Sequence, residues 1–93
     1  MPEQVVRDDE RSRYELVIDG DIVGIADFVL DGATMVLPHT EINPRQRGRG
    51  LGAVLVKGVL DDARARSLDV VPTCWYVREY MEQHPEESDL LAS

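Results

Sequence analysis

The stretch that most limits how this chain can fold is Pro44-Arg45-Gln46-Arg47-Gly48-Arg49-Gly50-Leu51-Gly52-Ala53. Three glycines alternate with side chains there, so the backbone can approach a ligand with no Cβ in the way. An apolar run from Leu51 to Leu60 comes at once after it and is long enough for a helix. The unpaired N–H groups and positive dipole end of that helix point back into the glycine loop. Such a junction is an anion site, and phosphate is the anion it suits best. The residues before the loop must deliver the chain to it, and those after it must pack on its helix.

Charge placement agrees with an anion site. The net charge of −8 argues against nucleic acid as a partner, because phosphate backbones demand a basic surface. Residues 1–44 hold 3 basic and 10 acidic side chains, and residues 67–93 hold 1 and 6. Only residues 45–66 are positive, with 6 basic and 2 acidic. Arg45, Arg47 and Arg49 fall at a helix start, where the dipole disfavours cations by about 0.3–1 kcal/mol each. A bound anion removes that conflict; without one, the arginines merely decorate a helix end.

The 93 residues are expected to form one small domain. A single cysteine excludes an internal disulfide and suggests a reducing compartment. Met1-Pro2-Glu3-Gln4 does not open a signal peptide, and no apolar run approaches a membrane span. A cytoplasmic protein with no membrane partner is therefore expected.

Residues 1–12 are polar, with Asp8-Asp9-Glu10 in a row, and read as a flexible lead-in to a domain over 13–93. Arg13 to Ile18 alternates as a strand. Asp19-Gly20 signals a hairpin, the run from Ile22 to Leu30 a second strand, and Asp31-Gly32 another turn. The third strand, about Thr34 to Ile42, carries Pro38, which marks an edge or a bulge. The helix from Leu51 to about Arg66 has only a narrow polar stripe, so it should lie buried on the sheet. Gly58 inside it costs about 1 kcal/mol relative to alanine, and close helix–sheet contact is the expected reason. Leu68–Val71 reads as a short parallel strand, and a last helix runs from Trp75 to His84, capped by Thr73 or Cys74 and ended by Pro85. Leu90-Leu91 in the acidic tail can dock on the domain.

Three phosphate motifs compete for the glycine loop. A Walker loop fails for want of Gly-Lys-Ser/Thr. The dinucleotide fingerprint is nominally met by Gly48-x-Gly50-x-x-Ala53 with Asp69 downstream. It needs a parallel strand running directly into the first glycine, however, and here hairpin-linked strands and a polar stretch precede it. The third pattern, Arg/Gln-x-x-Gly-x-Gly/Ala, is matched by Arg47-Gly48-Arg49-Gly50-Leu51-Gly52. With Ile42-x-Pro44 ahead and a helix behind, it resembles the coenzyme A pyrophosphate loop of the GNAT superfamily of N-acyltransferases. Including His39-Thr40-Glu41 and Pro72-Thr73-Cys74…His84-Pro85-Glu86, the whole chain looks like that superfamily's minimal single-domain subfamily, called YjdJ-type.

The resemblance implies an α+β, truncated GNAT-like fold. Its parts would be an antiparallel three-stranded meander, a central helix after the pyrophosphate loop, a parallel fourth strand and a C-terminal helix. It implies acetyl-CoA (coenzyme A) as cofactor, with Arg47, Gly48, Arg49, Gly50, Leu51, Gly52 and Ala53 at the pyrophosphate. The backbone of Glu41 and Ile42 would pair with the pantetheine arm as an added strand does. It implies direct transfer of an acetyl group from thioester to an unidentified amine, small molecule or protein lysine; a relay through a cysteine is a variant that Cys74 itself suggests. Larger members build an amine-binding wall that is not read in this chain, and their acid tyrosine aligns with Met81, one residue after Tyr80. An acyl-CoA-binding or interaction module without catalysis is the alternative. A monomer or weak homodimer is expected.

Two side chains are candidates for the chemistry. Cys74 starts a helix, where a thiol's pKa falls below its usual value near 8.5, and its thiolate could accept an acyl group. A lone cysteine is also a small buried hydrophobe. His39 could take a proton from an ammonium, or it could hydrogen-bond within the sheet. His39 and Glu41 share one face of the third strand, as do Met35 and Leu37. Trp75 and Tyr76 could line the channel or simply pack. No residue cluster suggests a metal.

Overall fold

Asp19-Gly20 and Gly32 make the turns that the pattern demands, with Asp19, Gly20 and Gly32 all at positive φ (54°, 82° and 62°). The computed structural model describes residues 3–46 and 48–92. Its strands are β1 (Glu3–Asp8), β2 (Arg13–Ile18), β3 (Asp21–Asp31), β4 (Thr34–Ile42) and β5 (Asp69–Val71). Helix α1 spans Leu51–Ala65 and α2 spans Trp75–Gln83, with 3₁₀ turns at Pro44–Gln46 and Pro85–Leu90. The sheet order is β1-β2-β3-β4-β5, antiparallel through β4 and parallel between β4 and β5.

The flexible lead-in expected over residues 1–12 is corrected from Glu3 to Asp8 by β1, which pairs with β2 from Glu3↔Ile18 to Asp8↔Arg13, while Met1 and Pro2 lie outside the described residues. The meander therefore has four strands, and the parallel strand is the fifth. The charged composition hid this strand, because one of the side chains it half-buries is an arginine. Arg7, with a side chain only 11% exposed, lies 4.8 Å above the Phe28 ring and reaches Asp62 of α1 at 3.4 Å. Tyr14 donates its hydroxyl to the same Asp62 carboxylate at 2.7 Å. Burial and that carboxylate hold the phenol protonated far above its ordinary range.

Helix α1 lays Leu51, Leu55, Val56, Val59, Leu60 and Ala63 on the sheet face that presents Tyr14, Leu16, Ala26, Phe28, Met35 and Leu37. The 3₁₀ turn after α2 is clasped to α1. Glu87, its side chain 4% exposed, accepts from Arg64 at 2.9 Å. Of the two tail leucines only Leu90 is buried; Leu91 bridges β5 through its backbone, and the Ala92 N–H donates to the Val70 carbonyl at 3.0 Å. These bonds cover the outer edge of β5. No described helix is long and apolar enough to cross a membrane.

Gly58 behaves as the buried helix requires. A Cβ there would collide with Val5 Cγ2 and lie 2.7 Å from Val5 Cβ. Gly58→Ala is expected to destabilise the fold by about 1–3 kcal/mol through overpacking, although alanine gains about 1 kcal/mol in helix propensity. Urea denaturation measures the net effect, and loss of amide-exchange protection at Val5 and Arg7 would locate it in β1.

Candidate functional site

The site is built around a defect in β4. Across from β4, Asp27 pairs with His39 and Val29 with Val36, so Phe28 alone opposes both Leu37 and Pro38. Proline has no N–H to give the ladder, and the extra residue is a bulge, one of the two outcomes its presence predicted. The bulge also ends the pairing with β5, which covers only Thr34–Val36 against Asp69–Val71. Beyond it the two strands part, and the Leu37 carbonyl is tied to the other bank by the Cys74 N–H at 2.9 Å and Thr73 Oγ1 at 3.4 Å.

The bulge corrects a face assignment. Counting by twos puts Met35, Leu37, His39 and Glu41 on one side. Met35 and Leu37 are buried under α1, but the extra residue turns Thr40 and Ile42 inward and sends His39 and Glu41 to the opposite face. His39 and Glu41 have side chains 53% and 65% exposed and meet at 3.3 Å (Nε2 to Oε1). Among the described residues no helix packs on that outer face. Backbone alternation follows the same parity. The Asn43 N–H donates to the Val23 carbonyl at 2.8 Å, so Glu41 also turns its backbone to β3, while Thr40 and Ile42 turn theirs into the gap. Of the pair expected to meet a pantetheine arm through the backbone, Ile42 turns its backbone into the gap and Glu41 does not. Glu41 contributes a side chain.

At the other end of the gap stands the glycine loop. Gly48 and Gly50 adopt φ of 82° and 70°, and nothing lies within 4 Å of a Cβ built on either. Gly50 is the N-cap of α1, with no side-chain cap and no acidic residue in the first turn. The N–H groups at this helix start have no side-chain cap, and the positive dipole end stands behind them. Arg49 is exposed and donates to Gln46 Oε1 at 2.5 Å. Ala53 packs toward the core. Arg47 lies outside the described residues.

Gap and loop share one cleft of about 330 Å³ lined by Thr40, Glu41, Ile42, Gln46, Gly48, Gly50, Leu51, Gly52, Trp75 and Tyr76. Cys74 stands just behind the wall, 8% exposed, as the N-cap of α2. Burial pushes its thiol pKa up. Hydrogen bonding to the Thr40 side chain (3.5 Å) and to the N–H groups of Val77, Tyr76 and Thr40 outweighs that and lowers it below the ordinary value. Cys74 and His39 therefore flank the gap from opposite faces rather than touching. Tyr80 stacks on His84 at 3.9 Å on the side facing Glu87 and Lys57, and Met81 is buried, so Tyr76 is the tyrosine at the cleft.

Thr40 and Gln46 have no role assigned from sequence. Thr40 is hidden by the parity change at Pro38. Tyr76, expected either to line a channel or to pack, does both from the first turn of the helix that Cys74 caps.

Residues 13–90 match the family described as GCN5-related N-acetyl-transferase. Protein NATD1 of Gallus gallus is 33% identical over 88 residues, covering 90% of this chain and 78% of that protein. In structure, a GCN5-like protein from Staphylococcus aureus superposes with a TM-score of 0.73 at 16% identity, covering 97% of this chain and 88% of that one. The Escherichia coli protein YhhK, solved bound to coenzyme A, gives 0.60 at 15% identity over 89% and 86%. A GNAT family acetyltransferase from Elizabethkingia anophelis with acetyl-CoA bound gives 0.60 at 19% over 81% and 55%.

Thr40→Val is expected to raise the midpoint of the pH profile for Cys74 alkylation by iodoacetamide, because a thiolate partner is lost. The wild-type midpoint should lie below that of the unfolded chain.

Proposed function

This chain belongs to the GCN5-related N-acetyltransferase family, and on that footing we propose that it is an acetyl-CoA-dependent N-acetyltransferase of the minimal single-domain YjdJ-type. The observation that carries the reading is the continuity of the cleft, which joins an uncapped, glycine-built helix start to an unpaired strand edge. An anionic pyrophosphate fits the first part and an extended amide-bearing arm the second. Acetyl-CoA supplies an activated acyl thioester when bound. The Gly48–Ala53 segment holds its pyrophosphate through backbone N–H groups, with Arg45, Arg47 and Arg49 adding charge. Ile42 pairs with the pantetheine arm from the gap side of β4.

Cys74 is the acyl acceptor in this scheme. Its thiolate would take the acetyl group from the bound thioester, a C–S bond forming at Cys74 as the coenzyme's C–S bond breaks, and the departing coenzyme thiolate would take up from solvent the proton that the Cys74 thiol had released to it. An amine then attacks the acetyl-Cys74 carbonyl, a C–N bond forms, and the Cys74 thiolate is released. The amine's proton would leave toward His39, which stands exposed on the outer face of β4 with Glu41 3.3 Å away. The acceptor is a primary amine, a small molecule or a protein lysine, reaching the gap across the open outer face.

That open face supports a second reading, an acyl-CoA-binding module without transfer, since nothing described walls in an acceptor. Calorimetry with acetyl-CoA tests the cofactor. Wild type should bind, and Gly50→Trp, which puts a large side chain at positive φ in the loop, should bind at least tenfold more weakly. Absence of wild-type binding would sink both readings. Mass spectrometry after incubation with acetyl-CoA and mixed amines separates them. The enzyme should label a free amine, Cys74→Ser should bind coenzyme yet lose transfer, and His39→Ala should slow transfer by roughly a hundredfold. Binding without any acetylated amine would leave the module.

A further inference from the structure

The third glycine of the loop is explained by neither its backbone angle nor an open approach to a ligand. A Cβ on Gly52 would sit 2.5 Å from Tyr76 Oη, 2.8 Å from Cζ and 3.1 Å from Cε2. Gly52 is a glycine because the Tyr76 ring occupies the space its side chain would take. The phenol thus rests on the first turn of α1 at Gly52, and it lines the cleft beside Gly48, Gly50 and Leu51. Burial, with Glu79 nearby, pushes its pKa up, so it is a donor throughout the physiological range. Among the described residues it takes up no hydrogen bond. A half-buried hydroxyl facing a cleft is a donor waiting for an acceptor.

The other end of the same residue reaches the reactive thiol. The Tyr76 N–H is one of the groups hydrogen-bonded to Cys74, and the Trp75 ring meets the Tyr76 ring edge-on at 5.7 Å. The first turn of α2 is moored to β4 through the Cys74 N–H and to α1 through the Tyr76 ring. A ligand that draws on the hydroxyl therefore acts on the turn that sets the thiol's donors.

We propose that the Tyr76 hydroxyl donates to the coenzyme's anionic group held at the start of α1, and that this bond fixes the first turn of α2 so that Cys74 is aligned when the loop is filled. Tyr76 is a coenzyme-binding residue and, toward Cys74, a positioning residue. The proposal rests on the coenzyme assignment made above and adds to it the link between binding and thiol.

The test uses the full chain with coenzyme A lacking an acyl group, in two measurements. Calorimetry compares wild type with Tyr76→Phe, which removes one oxygen and keeps the ring on Gly52. The expected loss is about tenfold in affinity, as for a hydrogen bond to a charged group. Amide NMR at saturating coenzyme reads the second half. The Tyr76 and Val77 N–H signals should shift in wild type and shift much less in Tyr76→Phe. Gly52→Ala is an independent variant, leaving the hydroxyl in the chain but displacing it, and should weaken binding by at least as much. If wild type does not bind coenzyme A, the coenzyme assignment itself falls. If wild type binds and Tyr76→Phe binds equally with the same amide shifts, this inference alone is overturned.

Discussion

The shape of the cleft hangs on the Leu37 carbonyl. It is the last backbone group of β4 before Pro38, and it accepts from the Cys74 N–H across the point where β4 and β5 separate. A regular strand would have continued the parallel ladder, closed the gap and left no edge for a ligand. With a proline in place, one ladder bond is unavailable, the bulge adds a residue, and the two strands diverge by construction. The tether keeps that divergence from spreading. It also sets Cys74 at the apex, where the Thr40 N–H and two α2 N–H groups converge on one sulfur.

The remainder of the structure holds those two banks in register. α1 is packed so closely that Gly58 meets Val5 of the far edge strand. Its solvent side is clamped at both ends of the sheet, through Arg7 and Asp62 at β1 and through Arg64 and Glu87 at the tail. These pairs are partly buried, so their main effect is to fix geometry, since desolvation offsets much of the attraction. The tail bond from Ala92 to Val70 then covers the open side of β5, a strand of three residues that pairs with β4 on its other side.

The elements with strong periodicity were legible in the sequence. β2 and β4 have the boundaries that alternation and turn chemistry imply, and α1 and α2 end within a residue of theirs. β1 was not, because alternation in Glu3–Asp8 runs through charged residues, and an arginine laid over a tyrosine and a phenylalanine leaves no local mark. The helix start behind the glycine loop was legible from spacing, since α1 begins at Leu51 with Gly50 as its N-cap. The face of His39 was not, since one bulge reverses every position after it. Pro38 announced that a bulge was possible without stating on which residue the count would slip. The contact between Tyr76 and Gly52 joins residues far apart in the chain, and no local pattern carries it.

That contact changes what the glycine motif means. Gly48 and Gly50 answer a backbone demand, a left-handed φ that carries the chain into the helix. Gly52 answers a packing demand from another helix. A motif that looks uniform in sequence therefore has two physical origins, and the second binds the first turn of α1 to the thiol-bearing turn of α2. Loop and thiol are parts of one packed unit rather than neighbours that happen to share a cleft. A side chain at Gly50 would act on the loop alone, whereas a side chain at Gly52 would be felt at Cys74 as well.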